Sequence, residues 1–160
     1  MPPPALLNLD ALDCDRVVYT REQIYERLPQ RYEFAQLDAI IHLDPETGTA
    51  AGYRDVRADE WWCRGHLPEK PIFPGILMIE TAAQLAGFVR EIMIPDDQFM
   101  AFGGVDDAKF RGAVLPPARL LLAGRALEAP RKRRLIWAVQ AYVDGAMVFE
   151  CTIIGMPIRL

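Results

Sequence analysis

Residues 75–94 are the longest helix-like segment of the chain, and they limit what the remaining residues can fold into. Over residues 76–89 only Glu80, Thr81 and Gln84 are polar. A helix that is apolar around most of its circumference has to be buried. The sequence therefore predicts one long central helix that the rest of the chain surrounds.

A proline-spaced arm leads into this helix. Pro68, Pro71 and Pro74 recur at every third position, which is the period of a polyproline II helix. Each proline fixes its own φ and removes one backbone donor, so the arm is stiff and extended. His66, one of two histidines in the chain, stands just before the arm. The approach from His66 to the helix therefore has a largely preset shape.

Two polar side chains interrupt the apolar helix on one face. Glu80 and Gln84 are four residues apart, which places them one turn from each other. A carboxyl group among apolar side chains keeps its proton more readily than one in water, which suits a general acid. Two simpler interpretations stay open. Glu80, Gln84 and Glu91 can form an ordinary solvated stripe, and His66 can be a loop or packing residue.

The other segments predict a short helix and several strands. Thr20 and Gln23 form a capping box for a helix that reaches Leu28. Strands are expected over residues 34–43, 49–56, 98–105, 119–127, 135–143 and 146–156, with turns at 44–48 and 144–145. One long helix among about six mostly sequential strands predicts an α+β fold in which an antiparallel sheet wraps the helix.

The length of 160 residues fits a single domain. We expect residues 1–19 to be an N-terminal extension on the surface or on a partner subunit, and residues 20–160 to form the domain. Three widely spaced cysteines favour reduced thiols in a cytoplasmic protein over a disulfide framework. The N-terminus lacks the features of a signal peptide, and no apolar run approaches membrane-spanning length, so no membrane association is expected.

The net charge of −4 disfavours nonspecific binding to nucleic acid. One local basic cluster interrupts this acidic background, with Lys109, Arg111 and Arg125 as candidate neighbours. It is either a solvated turn or a docking patch for an acidic partner. The cluster consists of Arg131, Lys132, Arg133 and Arg134.

The segment that begins at Gly65 carries a composite motif. It reads G-H-x-P-x-x-P-x-x-P-G-x-x-x-x-E-x-x-A-Q. This pattern resembles the signature of the β-hydroxyacyl-acyl carrier protein dehydratases, the FabZ/FabA family of type II fatty acid synthesis. LPQRYEFAQLDAII before the motif and FGGVDDAKFRGAVLP after it also resemble the family. The resemblance extends from Thr20 to Met156.

The resemblance implies the hotdog fold and neither a metal nor an organic cofactor. The substrates would be (3R)-hydroxyacyl thioesters on acyl carrier protein, and the products trans-2-enoyl thioesters of fatty acid, related lipid or polyketide biosynthesis. The family also implies a homodimer, or a trimer of such dimers, whose subunits join their sheets side by side. In such a dimer the histidine of one subunit faces the glutamate of its partner. The basic cluster is the candidate docking surface for the carrier.

Dehydration needs a base for the α-proton, an acid for the departing hydroxyl and stabilisation of charge on the thioester oxygen. His66 is the candidate base, because an imidazole in water is largely neutral at pH 7. Glu80 is the candidate acid, although some mechanisms of the family instead let this carboxylate orient the water, and both roles stay open here. Gln84 would hold the carboxylate, as the family motif implies. The backbone N–H of Gly75 is the candidate oxyanion contact, because unpaired donors at a helix N-terminus favour negative charge. Glycine at this position would let the thioester approach closely.

Three positions depart from the family pattern. Leu67-Pro68-Glu69 replaces Phe-Pro-Gly, Pro116-Pro117-Ala118 replaces Pro-Gly-Asp, and Glu33 replaces a proline. These changes leave His66 and Glu80 in place. They leave open the shape of the acyl tunnel, the acyl chain length and the recognition of the carrier. Two alternative functions stay open, namely a hotdog acyl-thioesterase and a non-catalytic acyl-binding or scaffold protein.

Overall fold

The computed structural model describes residues 3–128 and 134–159, and helix α2 runs through its centre from Gly75 to Met93. The helix begins directly after Pro74 and ends before Pro95, as predicted. Its buried side chains face the sheet and the flanking segments, which confirms the predicted central helix. They are Leu77, Met78, Thr81, Ala82, Gln84, Leu85, Ala86, Phe88, Val89 and Arg90.

Within the described residues, seven strands form one sheet in the order β1-β2-β3-β5-β6-β7-β4. Every pair of neighbours in this sheet is antiparallel. The sheet has one strand more than the about six expected for this α+β fold, because the two-residue β1 pairs with β2. The strands are β1 (Tyr19–Thr20), β2 (Ala39–Asp44), β3 (Thr49–Val56), β4 (Phe99–Phe110), β5 (Ala118–Ala126), β6 (Leu135–Val143) and β7 (Ala146–Ile158).

The short elements follow local sequence signals. Helix α1 spans Arg21–Arg27 and begins with the predicted capping box, in which the Thr20 hydroxyl accepts from the Gln23 N–H. The β6–β7 hairpin turns at Asp144 and Gly145, which both have positive φ, at 49° and 78°. A two-residue turn of this kind matches the twist of its flanking strands.

The segment before β2 differs from the prediction of a strand starting at residue 34. Tyr32–Phe34 form a 3-10 helix, and β2 begins at Ala39. At residues 36 and 37 the backbone bonds to side chains, since the Gln36 N–H donates to Gln84 Oε1 and the Leu37 N–H to Tyr25 Oη, and only at Asp38 does an N–H reach β3, at the Tyr53 carbonyl. Side chains of the two helices, Tyr25 and Gln84, therefore take the place of a neighbouring strand as hydrogen-bond partners of residues 36 and 37.

Strand β4 lies at one end of the sheet and is longer than the predicted 98–105. It pairs with β7, with irregular register near Phe102 and Asp106. In the part of the chain that the structure describes, its other edge carries no strand. A long unpaired edge is a template for pairing with another chain.

The core lies between α2 and the inner face of the sheet. Trp137, Phe149, Leu120 and Leu122 are almost completely buried there.

Near the N-terminus, the chain crosses the opposite face of β6, where the Gln140 side chain bonds to the Leu6 N–H at 2.8 Å and to the Pro4 carbonyl at 3.0 Å. Because side chains alternate along a strand, Gln140 points away from the core residue Val139.

Candidate functional site

The loop between β3 and α2 holds His66 by three hydrogen bonds. The His66 N–H donates to the Trp62 carbonyl at 2.8 Å, and the Ile72 N–H donates to the His66 carbonyl at 2.9 Å. On the side chain, His66 Nδ1 lies 2.7 Å from the Ile72 carbonyl oxygen. A carbonyl only accepts, so Nδ1 carries the proton, and in a neutral ring Nε2 keeps its lone pair. This geometry leaves His66 Nε2 available as a base.

A buried ionic network supports this loop, and sequence reasoning missed it. The Arg54 side chain is almost completely buried and pairs with Glu60, while its guanidinium carbon lies 4.8 Å from the centre of the Phe73 ring. Burial lowers the pKa of Arg54, and the neighbouring Glu60 opposes that shift. Trp62 Nε1–H donates to Glu60 at 3.0 Å, and the Trp62 ring meets Phe73 edge-on. In the sequence, this network was indicated only by Arg54, a charged residue within the strand predicted over residues 49–56.

A groove of about 400 Å³ opens beside His66. The two tryptophans differ in burial: Trp62 is a core residue, whereas Trp61 is 56% exposed at the groove. The groove therefore has an apolar wall beside the imidazole. Its lining consists of Trp61, Trp62, Arg64, Gly65, His66, Pro74, Gly75 and Ile76.

Gly75 places the N-terminus of α2 in the same groove as His66. The Leu77 and Met78 N–H groups both donate to the Pro74 carbonyl. Among the described residues, the Gly75 N–H makes no hydrogen bond. It is therefore a free donor at the positive end of a helix dipole.

The space above Gly75 is already filled, which differs from the expected reason for a glycine. A Cβ at this position would lie 2.6 Å from Cε1 of Phe110. The Phe110 ring stacks on Phe149 with 5.1 Å between centroids, so it cannot move away without losing that contact. Protein packing alone accounts for the absence of a side chain at residue 75.

Glu80 and Gln84 face a second, smaller cavity of about 60 Å³. Gln84 is buried, and its Nε2 donates to Glu80 Oε1 at 2.7 Å. Glu80 and Glu91 are half-buried at the same cavity, alongside apolar side chains such as Leu135. The interpretation of a solvated stripe is therefore wrong for Gln84.

One chain does not bring His66 and Glu80 into a common cavity. His66 and Gly75 line the larger groove, whereas Glu80 and Gln84 line the smaller one. Each cavity therefore holds one of the two residues that the sequence predicted as base and acid.

The departures from the motif lie outside the linings of these two cavities. Glu69 is exposed and has φ of 64°, in the left-handed region that glycine favours. The turn thus keeps a glycine-like backbone although a carboxylate replaces glycine. The Pro116–Pro117 peptide bond is cis, and Ala118 begins β5. Glu33 belongs to the exposed 3-10 helix beside Gln84.

The structure describes only one residue of the basic cluster, Arg134. Arg131, Lys132 and Arg133 lie outside the described residues, and Arg134 is exposed next to β6. Among the candidate neighbours, Lys109 and Arg111 both pair with Glu150, and Arg125 is exposed.

No group of three or more metal-ligating side chains occurs in residues 3–128 and 134–159. Over the same residues, no helix has the length and hydropathy needed to cross a membrane.

Comparison with known proteins gives one family and several structural relatives. A family model described as a FabA-like domain matches residues 28–152. The dehydratase heterocomplex ApeI:P from Xenorhabdus doucetiae has a TM-score of 0.71 at 15% identity, covering 85% of this chain and 91% of that chain. A hypothetical thioesterase with coenzyme A from Streptococcus pneumoniae TIGR4 has a TM-score of 0.56 at 12% identity, covering 75% and 84%. The protein smu.793 from Streptococcus mutans UA159, bound to acetyl CoA, has a TM-score of 0.56 at 11% identity, covering 75% and 87%.

Proposed function

Because the chain belongs to the FabA-like family and has the hotdog fold, we propose that it dehydrates (3R)-hydroxyacyl thioesters on acyl carrier protein to trans-2-enoyl thioesters. The observation that carries the proposal is the hydrogen bond from His66 Nδ1–H to the Ile72 carbonyl, which leaves Nε2 as a base beside the free N–H of Gly75. A base and an oxyanion donor in one groove are what abstraction of a proton next to a thioester carbonyl needs.

The reaction assigns one proton transfer to each side chain. His66 Nε2 takes the proton from the carbon next to the thioester carbonyl, and the Gly75 N–H stabilises the negative charge that develops on the carbonyl oxygen. The Glu80 carboxyl group gives its proton to the departing hydroxyl, so water leaves and the double bond forms. Return of the proton from His66 to Glu80 completes the cycle.

The two cavities support a site shared between two copies of the chain. In the described residues of a single chain, His66 and Glu80 line separate cavities, and strand β4 has an unpaired edge with exposed apolar side chains such as Phe102 and Phe110. We propose that a homodimer, alone or within a trimer of dimers, joins two sheets along this edge. His66 of each subunit would then act with the Glu80 of the other.

Carrier recognition is assigned to the basic cluster of residues 131–134. A carrier protein with acidic surface would be repelled by most of this acidic chain and attracted by this cluster. Arg134 is exposed and therefore accessible to such a partner.

The test follows enoyl absorbance with carrier-linked substrates of several chain lengths and with simple thioester mimics. His66→Ala and Glu80→Gln should each lower kcat by roughly 10²–10⁴-fold, the usual loss for one acid or base. Replacing Arg131, Arg133 and Arg134 with Ala should raise KM for the carrier-linked substrate more than for the mimic. Folded protein that turns over no carrier-linked substrate would contradict the dehydratase proposal, and equal KM effects on both substrates would contradict the docking role.

Thioester hydrolysis is the second candidate function, because a protein described as a hypothetical thioesterase and a protein bound to acetyl CoA share the fold. A hydrolase would release free thiol from the same substrates without forming enoyl product. Measuring free thiol in parallel with enoyl absorbance therefore separates the two reactions.

A further inference from the structure

The Gln84 side chain uses all four of its hydrogen-bonding positions beneath Glu80. Its Nε2 donates to Glu80 Oε1 at 2.7 Å and to the Phe34 carbonyl at 2.6 Å. Its Oε1 accepts from the Tyr25 hydroxyl at 2.6 Å and from the Gln36 N–H at 3.0 Å. Two donors and an acceptor oxygen with two lone pairs are the full capacity of an amide, so no group of this side chain is left unsatisfied.

The Tyr25 hydroxyl determines which way round this amide lies. The Leu37 N–H donates to Tyr25 Oη at 2.8 Å, so the hydroxyl directs its own proton to Gln84 Oε1. Rotating the amide by half a turn would set its NH₂ group against the Gln36 N–H. It would also set its oxygen against the Glu80 carboxylate. Only the observed orientation pairs donors with acceptors, and each unmade bond in this buried space is costly.

Tyr25 is itself held by a frame that joins α1 to the segment before β2. Its ring lies under the Arg21 guanidinium, 5.5 Å from the guanidinium carbon to the ring centre. Arg21 also donates to the Ala35 carbonyl at 2.8 Å and to the Leu37 carbonyl at 3.1 Å. The hydroxyl and the two backbone N–H groups of residues 36 and 37 therefore keep fixed relative positions.

We infer that Tyr25 is a positioning residue of the proposed site, which acts on Glu80 through the amide of Gln84. This inference rests on the proposed function for its effect on turnover. Glu80 Oε1 is occupied as an acceptor of the Gln84 NH₂ group, and among the described residues Oε2 makes no hydrogen bond. Oε2 is then the oxygen that carries the proton to the departing hydroxyl.

The first test compares two tyrosines that each donate to a buried glutamine. Tyr25→Phe removes the hydroxyl that orients Gln84, and Tyr142→Phe removes a similar 2.6 Å bond to Gln140 in a part of the sheet unconnected with Glu80. Tyr25→Phe should lower kcat about ten-fold with KM little changed, because only proton transfer is affected. Tyr142→Phe should keep near wild-type kcat. Equal kcat for the two variants, both folded by circular dichroism, would overturn the inference.

A double-mutant cycle then separates positioning from general loosening of the fold. If Tyr25 acts through Gln84, Tyr25→Phe should have no further effect on kcat in a Gln84→Leu background. Losses that multiply in the double variant would show that Tyr25 acts independently of Gln84 and would overturn the inference.

A spectroscopic readout works even if the wild-type protein has no dehydratase activity or Tyr25→Phe does not fold. In ¹⁵N-labelled wild-type protein, the side-chain NH₂ of Gln84, assigned by its loss in Gln84→Leu, should exchange with solvent at least ten-fold more slowly than that of the exposed Gln23. Exchange as fast as that of Gln23 would show that the Gln84 NH₂ group lacks lasting hydrogen bonds and would refute the positioning role. Slow exchange without enoyl formation would leave the positioning intact and reject only the proposed function.

Discussion

At the scale of single residues, one hydrogen-bond partner orients each proposed catalytic group. The Ile72 carbonyl fixes the tautomer of His66, and Gln84 occupies one oxygen of Glu80. Both partners are neutral hydrogen-bonding groups. Each group therefore keeps an atom free for proton transfer, Nε2 on His66 and Oε2 on Glu80.

Stability at high pH should report on the buried Tyr25 hydroxyl. Burial raises the pKa of Tyr25 to about 12, although the hydrogen bond from the Leu37 N–H lowers it. The folded protein therefore holds this proton more tightly than the unfolded chain, whose tyrosine titrates near 10, and stability is lost as pH rises from about 10 to 12. At pH 11 wild type should lose about 1.4 kcal/mol more unfolding free energy than Tyr25→Phe, relative to pH 8.

The measurement is urea unfolding of both proteins at several pH values. The pKa of Cys151 is also raised to about 12 by burial, but Cys151 is present in both proteins and cancels in the difference. Parallel pH profiles for the two proteins would show that Tyr25 does not titrate as described.

At the scale of elements, helix α2 connects the two cavities, because its first residue lines one and Glu80 and Gln84 line the other. Its N-terminus packs against the Phe110 ring of β4. Its C-terminus is tied down by Arg90, which bonds to both carboxylate oxygens of Asp96 at 2.7 and 2.8 Å and to the Gln98 carbonyl at 3.0 Å. The helix is therefore fixed at both ends relative to the strand at the open edge.

Two glycines of α2 should respond oppositely to alanine. Gly75→Ala forces a Cβ to within 2.6 Å of the stacked Phe110 ring and should destabilise the protein by about 1–3 kcal/mol. At Gly87 a Cβ would find only Leu28 Cδ2, at 3.9 Å, so Gly87→Ala should stabilise by about 0.5–1 kcal/mol through helix propensity. Urea unfolding of both variants checks this. Stabilisation by Gly75→Ala would disprove the tight packing at the helix start.

At the scale of the whole molecule, we propose that two chains together form each site. Two observations support this proposal. Among the described residues, the outer edge of β4 is unpaired, and the His66 groove is separate from the Glu80 cavity. Each chain would then be half of two sites.

Mixing two inactive variants tests this shared site. In a dimer of one His66→Ala chain and one Glu80→Gln chain, one site collects both defects and the other receives intact His66 and Glu80. With random pairing, half of the dimers are mixed and each has one good site, so activity should recover to about a quarter of wild type. No recovery, with subunit exchange verified by native mass spectrometry, would place both residues of a working site in one chain.

Local patterns in the sequence determined a large part of this protein. The apolar run of α2, the Thr20–Gln23 capping box and the Asp144–Gly145 turn each depend on residues close together in the chain, and each was predicted with nearly the observed bounds. The motif from Gly65 to Gln84 likewise indicated the family and the fold, because its spacing reflects one loop and one helix.

Only the tertiary structure decided which distant residues hold the candidate residues in place and which cavity each candidate residue lines. Gln84 meets partners 48 to 59 positions away in the sequence, and Arg54 supports the His66 loop from another element. The length of β4 and its open edge depend on pairing with β7, which lies distant in the chain. The placement of His66 and Glu80 in separate cavities follows from the packing of α2 against the sheet, since spacing along one chain specifies no distance between a loop and a helix face.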